Sequence, residues 1–576
     1  QIALPTENGQ HLAATLFKPK TATEENPAPF IVVVPGFQRS KEALANIAIE
    51  LSRRGFVVAS IDPYGQGFSS SSMSTRSATH EGYGLFALVD YAASTGNLNY
   101  IDRSRIGATG HSAGGNAAIR GANYFGREAE RTGAPSKLHS VFVSGYVLTL
   151  RKSVLKDVQS NIGVSYALYD EGAFRNKLKN GDMRIAPEAL AVVNSGRGKG
   201  LKSIRAVVPG RFYGDLDKRA LRVVHNEPLL HPFQPYNGEA TANQIAYFEH
   251  VFNHSSGLAT HDQIWHWKEL FGLVAFVISL IAIIPLGRIL LTTTTFHSLV
   301  HRVPEAAPVP TGTGRIIFWS LFFVGAAIAC ASFIPMVDIS KSLFVAASNR
   351  HQTWFFPQRM NNPVMLWALF NGLIGLALFY LSYRFYGRMH GANPKNWGVR
   401  IDRNELVLTV IAALIIFSLY YLTLFFINYL FQVDYRFWFI GARVFQPEML
   451  ILLGMYVPFF LVFFMANSLR VNAAMRFKDE LEWKSMLLAG IANSLGLFFI
   501  IFIQYTVFSF TGTVYWTQNW LYINLLFGIV PVMFILPYFN RYFFKMTGKI
   551  YLGPLVTCLI FIMILLTNTV CYIPIK

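Results

Sequence analysis

The segment Gly110-His111-Ser112-Ala113-Gly114 carries the side chain best placed to act as a nucleophile. It follows a short apolar run at residues 105–109 that predicts a β-strand, and a helical pattern follows it. The small residues around Ser112 indicate a sharp turn, because a larger side chain at Gly110 or Gly114 would collide with the neighbouring strand or helix. Such a turn raises the serine hydroxyl off the sheet and directs a helix N-terminus at it. The pattern therefore predicts a nucleophilic serine.

Apolar runs alternate with helical patterns on both sides of this turn. Further strands are predicted at residues 30–34, 56–61, 138–144, 162–169 and 221–224. Helices are predicted at residues 40–54, 79–94, 116–123 and 238–248. Strands that alternate with helices favour a doubly wound, mostly parallel sheet covered by helices. The first half of the chain is therefore predicted to be of the α/β class.

This order of elements resembles the α/β-hydrolase superfamily over about residues 10–254, and the layout is most similar to small esterases of the dienelactone hydrolase type. The turn at Ser112 carries the resemblance most strongly. Two further segments match the superfamily, namely Pro35-Gly36-Phe37-Gln38 after the first buried strand and the Asp-x-x-Gly-x-Gly-x-Ser loop at residues 62–69. The resemblance implies an oxyanion hole formed by the backbone N–H groups of Phe37 and Ala113, with Gln38 as an alternative to Phe37. No resemblance to a known family covers the apolar second half.

The superfamily's chain order of nucleophile, acid and histidine directs the choice of the remaining residues. Asp170 is the predicted acid because it follows a predicted strand, and Glu171 is the alternative. His231 is the predicted base because it lies between the last predicted strand and the last predicted helix, and His225 is the alternative. The resemblance thus implies a triad in which His231 takes the proton of Ser112 and Asp170 orients His231.

Motifs for cofactors and metals are weak in this sequence. Neither a G-x-G-x-x-G segment nor a Walker-type loop follows a predicted strand. His250 and His254 are four residues apart, with His261 and His266 nearby, a spacing that can bind zinc. The sequence has no H-E-x-x-H motif, and the position of these histidines beside the membrane favours polar packing. We expect no cofactor, no metal site and no nucleic-acid partner.

The second half of the chain is strongly apolar. The whole sequence is 52% hydrophobic and 14% charged, which is unusually apolar for a soluble protein. About 20 apolar residues cross a bilayer, so we predict an extracytoplasmic α/β-hydrolase domain at 1–254, a juxtamembrane linker at 255–268 and an all-α multi-pass membrane domain at 269–576. Its eight predicted spans lie near residues 270–287, 316–337, 364–383, 406–431, 449–467, 486–508, 520–539 and 551–573.

The loop charges predict the orientation of these spans. Fifteen Lys and Arg residues lie after the first, third, fifth and seventh spans, and six lie on the other side. The positive-inside rule assigns the richer side to the cytoplasm, so the hydrolase domain and the C-terminus are expected outside the plasma membrane. Residues 1–5 lack the basic and apolar parts of a signal peptide, and we therefore expect a signal peptide or a further span upstream. Because residues 1–267 contain no cysteine for a disulfide, a bacterial source is favoured.

Together these patterns predict a membrane-embedded serine hydrolase of the esterase, lipase or acyltransferase type. The expected substrate is an acyl ester, a thioester or a lipid-like molecule at the outer face, and the expected partners are the lipid bilayer and that substrate. A membrane protein partner or a second copy of the chain stays open. The alternatives are a non-catalytic hydrolase-like scaffold or partner subunit in a membrane complex, and a lipid transporter or flippase with an attached hydrolase.

Overall fold

A single eight-stranded sheet lies at the centre of the N-terminal region in the computed structural model, which describes residues 1–198 and 201–575. The strands are β1 (Ile2–Pro5), β2 (His11–Phe17), β3 (Ala28–Val34), β4 (Val57–Ile61), β5 (Ile101–His111), β6 (Ser140–Ser144), β7 (Asn161–Ser165) and β8 (Arg222–His225). Their order across the sheet is β1-β2-β4-β3-β5-β6-β7-β8. The β1–β2 and β2–β4 pairs are antiparallel, and every other neighbouring pair is parallel.

Helices cover both faces of this sheet. They are α1 (Ala45–Arg53), α2 (Ser77–His80), α3 (Leu85–Ser94), α4 (Ala113–Thr132), α5 (Lys152–Leu155), α6 (Pro187–Ser195) and α7 (Gly238–Val251). Along β3, Phe30, Val32 and Val34 face the apolar core under α3, α4 and α6, whereas Ile31 and Val33 face the core under α1 and α7. Successive side chains of a strand point to opposite faces, so a fully apolar strand suits a sheet that is buried on both sides. The predicted doubly wound α/β sheet is confirmed.

The second half of the chain is mostly helical. Its elements are α8 (Trp265–Leu291), α9 (Gly312–Leu343), α10 (Val345–Ser348), α11 (Asn361–Phe385), α12 (Arg403–Phe431), β9 (Tyr435–Phe437), β10 (Ile440–Ala442), α13 (Glu448–Leu469), α14 (Glu482–Thr511), α15 (Trp520–Asn524), α16 (Leu526–Thr547) and α17 (Leu552–Thr567). Within the described residues, seven helices are long and apolar enough to cross a membrane: α8, α9, α11, α12, α13, α14 and α16.

The last two predicted spans differ from the helices in the structure. The span predicted at 520–539 corresponds to the short helix α15 followed by α16, and the span predicted at 551–573 contains only the 16-residue helix α17. After α17 the chain has no helix or strand up to residue 575, and the Cys571 N–H donates to the Gly65 carbonyl at 2.7 Å. The apolar residues after α17 therefore pack on the N-terminal region, a difference that apolar composition alone does not reveal.

The N-terminal region sits on one end of the helical bundle. The Gln446 side chain, in the segment before α13, donates to the Phe68 carbonyl at 2.8 Å. At the other end of the bundle the Tyr551 hydroxyl, just before α17, donates to the Val399 carbonyl at 2.6 Å. Since α17 starts at this far end and leads to the Cys571 contact, it joins the two ends of the bundle despite its short length.

Candidate active site

Ser112 occupies a strained turn between β5 and α4. Its φ is 56° and its ψ is −120°, a left-handed backbone conformation that is rare for a residue with a side chain. The Ser112 N–H donates to the Ser144 carbonyl at 2.8 Å, which holds the turn against β6. A Cβ at Gly110 would lie 2.5 Å from the backbone of Gly114, and a Cβ at Gly114 would overlap the carbonyl of Val34. Only glycine at these two positions lets the strand and helix approach this closely.

The structure brings Ser112, His231 and Asp170 together in one hydrogen-bonded chain. His231 Nε2 lies 3.0 Å from the Ser112 hydroxyl oxygen. On the other side of the ring, His231 Nδ1 lies 2.6 Å from Asp170 Oδ2. Asp170 is 1% exposed and His231 is 6% exposed. The imidazole can therefore accept the serine proton at Nε2 while the carboxylate holds the tautomer that has its proton on Nδ1.

The adjacent carboxylate, Glu171, binds different groups from those that Asp170 binds. Glu171 Oε2 accepts the backbone N–H of His231 at 2.8 Å. Its Oε1 accepts the hydroxyl of Tyr505, in α14, at 2.5 Å. Asp170 thus contacts the imidazole ring, whereas Glu171, the alternative acid, contacts the His231 backbone.

The charges around His231 change its protonation equilibrium. Burial alone lowers the pKa of His231, but the negative charge of Asp170 and the hydrogen bond to it outweigh burial, and the net result is a pKa above the usual 6.5. The charge of Glu171 adds to this increase. Burial raises the pKa of Glu171, and the nearby Asp170 charge raises it further, whereas the Tyr505 hydrogen bond lowers it.

Two other histidines in this region do not bond to Ser112. His225, the alternative base, ends β8 and lies against Phe142, with ring centroids 6.4 Å apart. Burial lowers the pKa of His225 to about 4. His111 lies beside His231, with ring centroids 4.7 Å apart, and burial and the neighbouring His231 charge hold its pKa well below 6.5. His111 is therefore a neutral neighbour of His231 at neutral pH.

The predicted oxyanion segment lies directly beside the serine. A Cβ at Gly36 would lie 3.2 Å from the Ser112 Cβ. Gln38 has a positive φ of 65°, which turns the chain sharply after β3. Ala113 is the first residue of α4, and the first N–H groups of a helix have no partner within it. The 36–38 segment and the start of α4 thus border Ser112 from two sides, while Phe37 packs against the apolar core of the helical bundle.

Residues of the helical bundle complete the surroundings of His231, and no sequence pattern predicted them. The Trp520 ring meets the His231 ring edge-on at 5.7 Å between centroids. The Arg175 guanidinium lies 4.9 Å from the Trp520 ring centroid. Tyrosine and tryptophan are common at membrane interfaces, so neither Trp520 nor Tyr505 could be distinguished from interfacial anchors by type alone.

The loop at residues 62–69 is organised by Asp62. Asp62 Oδ2 accepts the Phe68 backbone N–H at 2.9 Å and the Lys41 ammonium at 2.9 Å. The Arg443 guanidinium, from the segment before α13, lies 3.4 Å from Asp62 Oδ2 and 3.0 Å from Glu42 Oε1. Asp62 and Arg443 are almost fully buried. This loop therefore connects the N-terminal region to the bundle through buried charges.

No metal-binding cluster is present in the part of the chain that the structure describes: across residues 1–198 and 201–575, no three His, Cys, Asp or Glu side chains are grouped so that they could hold a metal ion. His254 instead hydrogen-bonds to the Arg54 carbonyl through Nε2 at 2.7 Å. His261 is paired with Glu239 at 2.9 Å.

Comparisons with known proteins concern the N-terminal region. The family model described as "PETase: PET hydrolase-like" matches residues 5–177, which include Ser112 and Asp170 but not His231. No curated protein matches the chain.

Three solved structures illustrate the likeness, each covering 44% of this chain. Est1E from Butyrivibrio proteoclasticus, bound to ferulic acid, is 14% identical over 99% of its own length, with a TM-score of 0.29. Dienelactone hydrolase from Anabaena variabilis is 16% identical over 96% of its length, with a TM-score of 0.29. The esterase Pf2001 from Pyrococcus furiosus is 12% identical over 91% of its length, with a TM-score of 0.30. On its sheet order and the match over residues 5–177, the N-terminal region of this chain has the α/β-hydrolase fold.

Proposed function

We propose that this protein is a membrane-embedded serine hydrolase that cleaves acyl esters, with Ser112 as nucleophile, His231 as base and Asp170 as orienting acid. The observation that carries the proposal is the hydrogen-bonded chain from Ser112 through His231 to Asp170. The strained backbone of Ser112 adds support, because such strain persists where the surrounding structure holds a residue for a function.

The reaction follows from these positions. His231 Nε2 accepts the proton of Ser112 as the hydroxyl oxygen attacks the acyl carbonyl carbon. The backbone N–H groups of Phe37 and Ala113 are the proposed donors to the oxygen that becomes negatively charged, and one such donor contributes about 10²–10³-fold to the rate. His231 then gives its proton to the departing alkoxide as the carbon–oxygen bond breaks. Water, activated by the same histidine, releases the acyl group from Ser112.

The proposed location is the outer face of a cell membrane. Support comes from the arrangement of the loops: the N-terminal region contacts the end of the bundle where Gln446 and Cys571 lie, and this end carries the loops that are poor in Lys and Arg. The loops rich in Lys and Arg lie at the opposite end, beside Tyr551. Loops rich in basic residues stay in the cytoplasm, so the hydrolase region faces outward.

Labelling with a fluorophosphonate probe tests the proposal on the full-length protein. We expect rapid labelling of the wild type and its loss in Ser112→Ala, because the probe reacts only with an activated serine. Ser104→Ala is the matched control, since Ser104 is an exposed serine on the same strand, β5. A wild type that labels no faster than Ser112→Ala would instead support the non-catalytic scaffold.

The same reagent tests the orientation. A membrane-impermeant fluorophosphonate is expected to label Ser112 in intact cells. Labelling that requires cell lysis would contradict the proposed outer location and leave the proposed chemistry intact.

A further inference from the structure

A mostly apolar cavity lies among the helices directly below the N-terminal region. It lies between α11, α13, α16 and α17, has a volume of about 120 Å³ and reaches the segment after β3. Its apolar walls include Trp367, Phe460, Phe463, Val532, Met533 and Phe561.

The cavity is polar at one end only. Its polar lining residues are Gln38, Arg39, Asn361, Asn524, Asn568 and Thr569. They lie at the hydrolase end of the bundle, since α11 begins at Asn361 and α17 ends just before Asn568. Ala368 and Met533, on the apolar wall, lie seven residues into α11 and α16, which corresponds to a depth of about 10 Å at 1.5 Å per residue. The gradient suits an amphiphile whose hydrocarbon part points into the bundle.

One short segment connects this cavity to the nucleophile. Gly36 lies against Ser112, and the residues two and three positions later, Gln38 and Arg39, line the cavity. Gln38 Oε1 accepts the Thr569 hydroxyl at 3.4 Å. A molecule that fills the cavity therefore has its polar end beside the segment that borders the Ser112 hydroxyl.

Arg39 makes the polar end of the cavity, next to the N-terminal region, positively charged. No carboxylate of the described residues lies within ion-pair distance of its guanidinium, which instead stacks on Phe439 at 4.6 Å from the ring centroid. Burial lowers the pKa of Arg39 to about 10, so Arg39 stays cationic at neutral pH. A cationic donor beside an apolar cavity favours an oxygen-bearing group attached to a hydrocarbon chain.

We infer that this cavity binds the fatty acyl chain of the ester that Ser112 attacks, so that the substrate class is a lipid with a medium or long acyl chain. The inference rests on the proposed function. The acyl side is favoured over the alcohol side because the segment that borders the cavity also carries the proposed oxyanion donor, Phe37. His231 must reach the leaving oxygen, so the alcohol lies on the His231 side of the carbonyl carbon.

Two isomeric esters test the inference on the purified full-length protein. Methyl octanoate carries its chain on the acyl side, and heptyl acetate carries it on the alcohol side. Gly528→Leu puts a side chain into the cavity beside Ile440, where a new Cβ would have ordinary contacts. We expect kcat/KM for methyl octanoate to fall about tenfold or more, while kcat/KM for heptyl acetate stays within about twofold.

Gly454→Leu is the matched control, because Gly454 lies in α13 with open space around it. Gly454→Leu should leave kcat/KM for both esters unchanged. Val532→Phe, four residues after Gly528 on α16, should repeat the selective loss if Gly528→Leu fails to fold.

The outcomes separate this inference from the proposed function. The inference is overturned if Gly528→Leu and Val532→Phe, while still reacting with fluorophosphonate at Ser112, change kcat/KM for both esters equally, for neither ester, or for heptyl acetate alone. The proposed serine hydrolase is unaffected by that result. If the wild type neither reacts with fluorophosphonate nor cleaves either ester, the proposed function itself fails.

Discussion

The two regions of the molecule contribute different things to the same site. The N-terminal region carries the proposed nucleophile, base and acid, all within its α/β sheet and the loops that follow its strands. The helical bundle provides no member of that chain of hydrogen bonds. It contributes Tyr505 and Trp520 around His231, and Arg443 beneath the Asp62 loop.

The residues proposed to react therefore come from a different region than some of the residues that position or enclose them. A group that reacts must keep its partners at hydrogen-bond distance, and in this chain those partners come from one fold. A residue that positions or encloses a reacting group acts through that group, and it can come from any element that packs nearby. We therefore expect substitutions in the N-terminal region to affect turnover most, and substitutions in the bundle to affect stability, pH dependence or the preference between esters.

The largest expected effect is that of Asp170→Asn. An amide can no longer hold the His231 ring with its proton on Nδ1, and kcat for a simple ester should fall about 10⁴-fold. The measurement is steady-state turnover of the full-length protein in detergent.

Glu171→Gln is the matched control for this substitution. Glu171 is the next residue in the chain and is equally buried, but it accepts the backbone N–H of His231 rather than a ring proton. It should retain most of its turnover. Equal losses in the two variants would show that the two carboxylates share the role assigned to Asp170.

The second effect concerns the contact between the two regions. Arg443→Met leaves the buried carboxylate of Asp62 and the partly exposed carboxylate of Glu42 with one cation fewer, and breaking a buried pair costs about 3–5 kcal/mol. The thermal unfolding midpoint should fall, while Ser112 still reacts with fluorophosphonate below that temperature. Arg288→Met, an exposed arginine at the far end of α8, should leave the midpoint unchanged. An unchanged unfolding midpoint in Arg443→Met would mean that the remaining contacts hold the two regions together without the Arg443 ion pairs.

The smallest effect is a shift in pH dependence. His231 must be neutral to accept the Ser112 proton, so kcat/KM should rise with pH through a midpoint above 6.5. Tyr505→Phe removes a hydrogen bond that lowers the pKa of Glu171. Glu171 is then protonated more readily, its negative charge no longer raises the pKa of His231 as much, and the midpoint should move to lower pH.

Tyr515→Phe serves as the control for this shift, because Tyr515 is an exposed tyrosine close to the same end of the bundle. Its pH profile should match that of the wild type. If the midpoint stays in place or rises in Tyr505→Phe, the helical bundle does not raise the pKa of His231 in the way proposed.

Most of the α/β sheet could be predicted because its signals are local. The strand before Ser112, the glycines beside it and the apolar run of β3 each depend on a few neighbouring residues. The choice of Asp170 and His231 as site candidates could not rest on local signals alone, because it used the order of nucleophile, acid and histidine in a superfamily that the sequence resembles. Sequence spacing alone could not have separated Asp170 from Glu171, since the two are adjacent and differ only in what they contact.

The contacts between the regions could not be predicted. Tyr505 lies in a long uncharged segment, and nothing in its neighbours indicates that its hydroxyl meets a buried carboxylate. The cavity likewise depends on how four helices meet, which composition does not determine. The end of the last predicted span was misplaced for a related reason, because hydropathy does not distinguish a residue that faces lipid from one that packs on a neighbouring domain.

The segment after α17 has a consequence for biosynthesis. Cys571 binds Gly65, and the Tyr572 carbonyl accepts the Thr353 N–H at 2.8 Å, so this segment joins the hydrolase region to a loop between α10 and α11. Translation runs from the N-terminus, and the ribosome therefore makes this segment after the sheet and after every helix that it touches. The N-terminal region therefore cannot complete its packing on the helical bundle until the chain has been synthesised past residue 572.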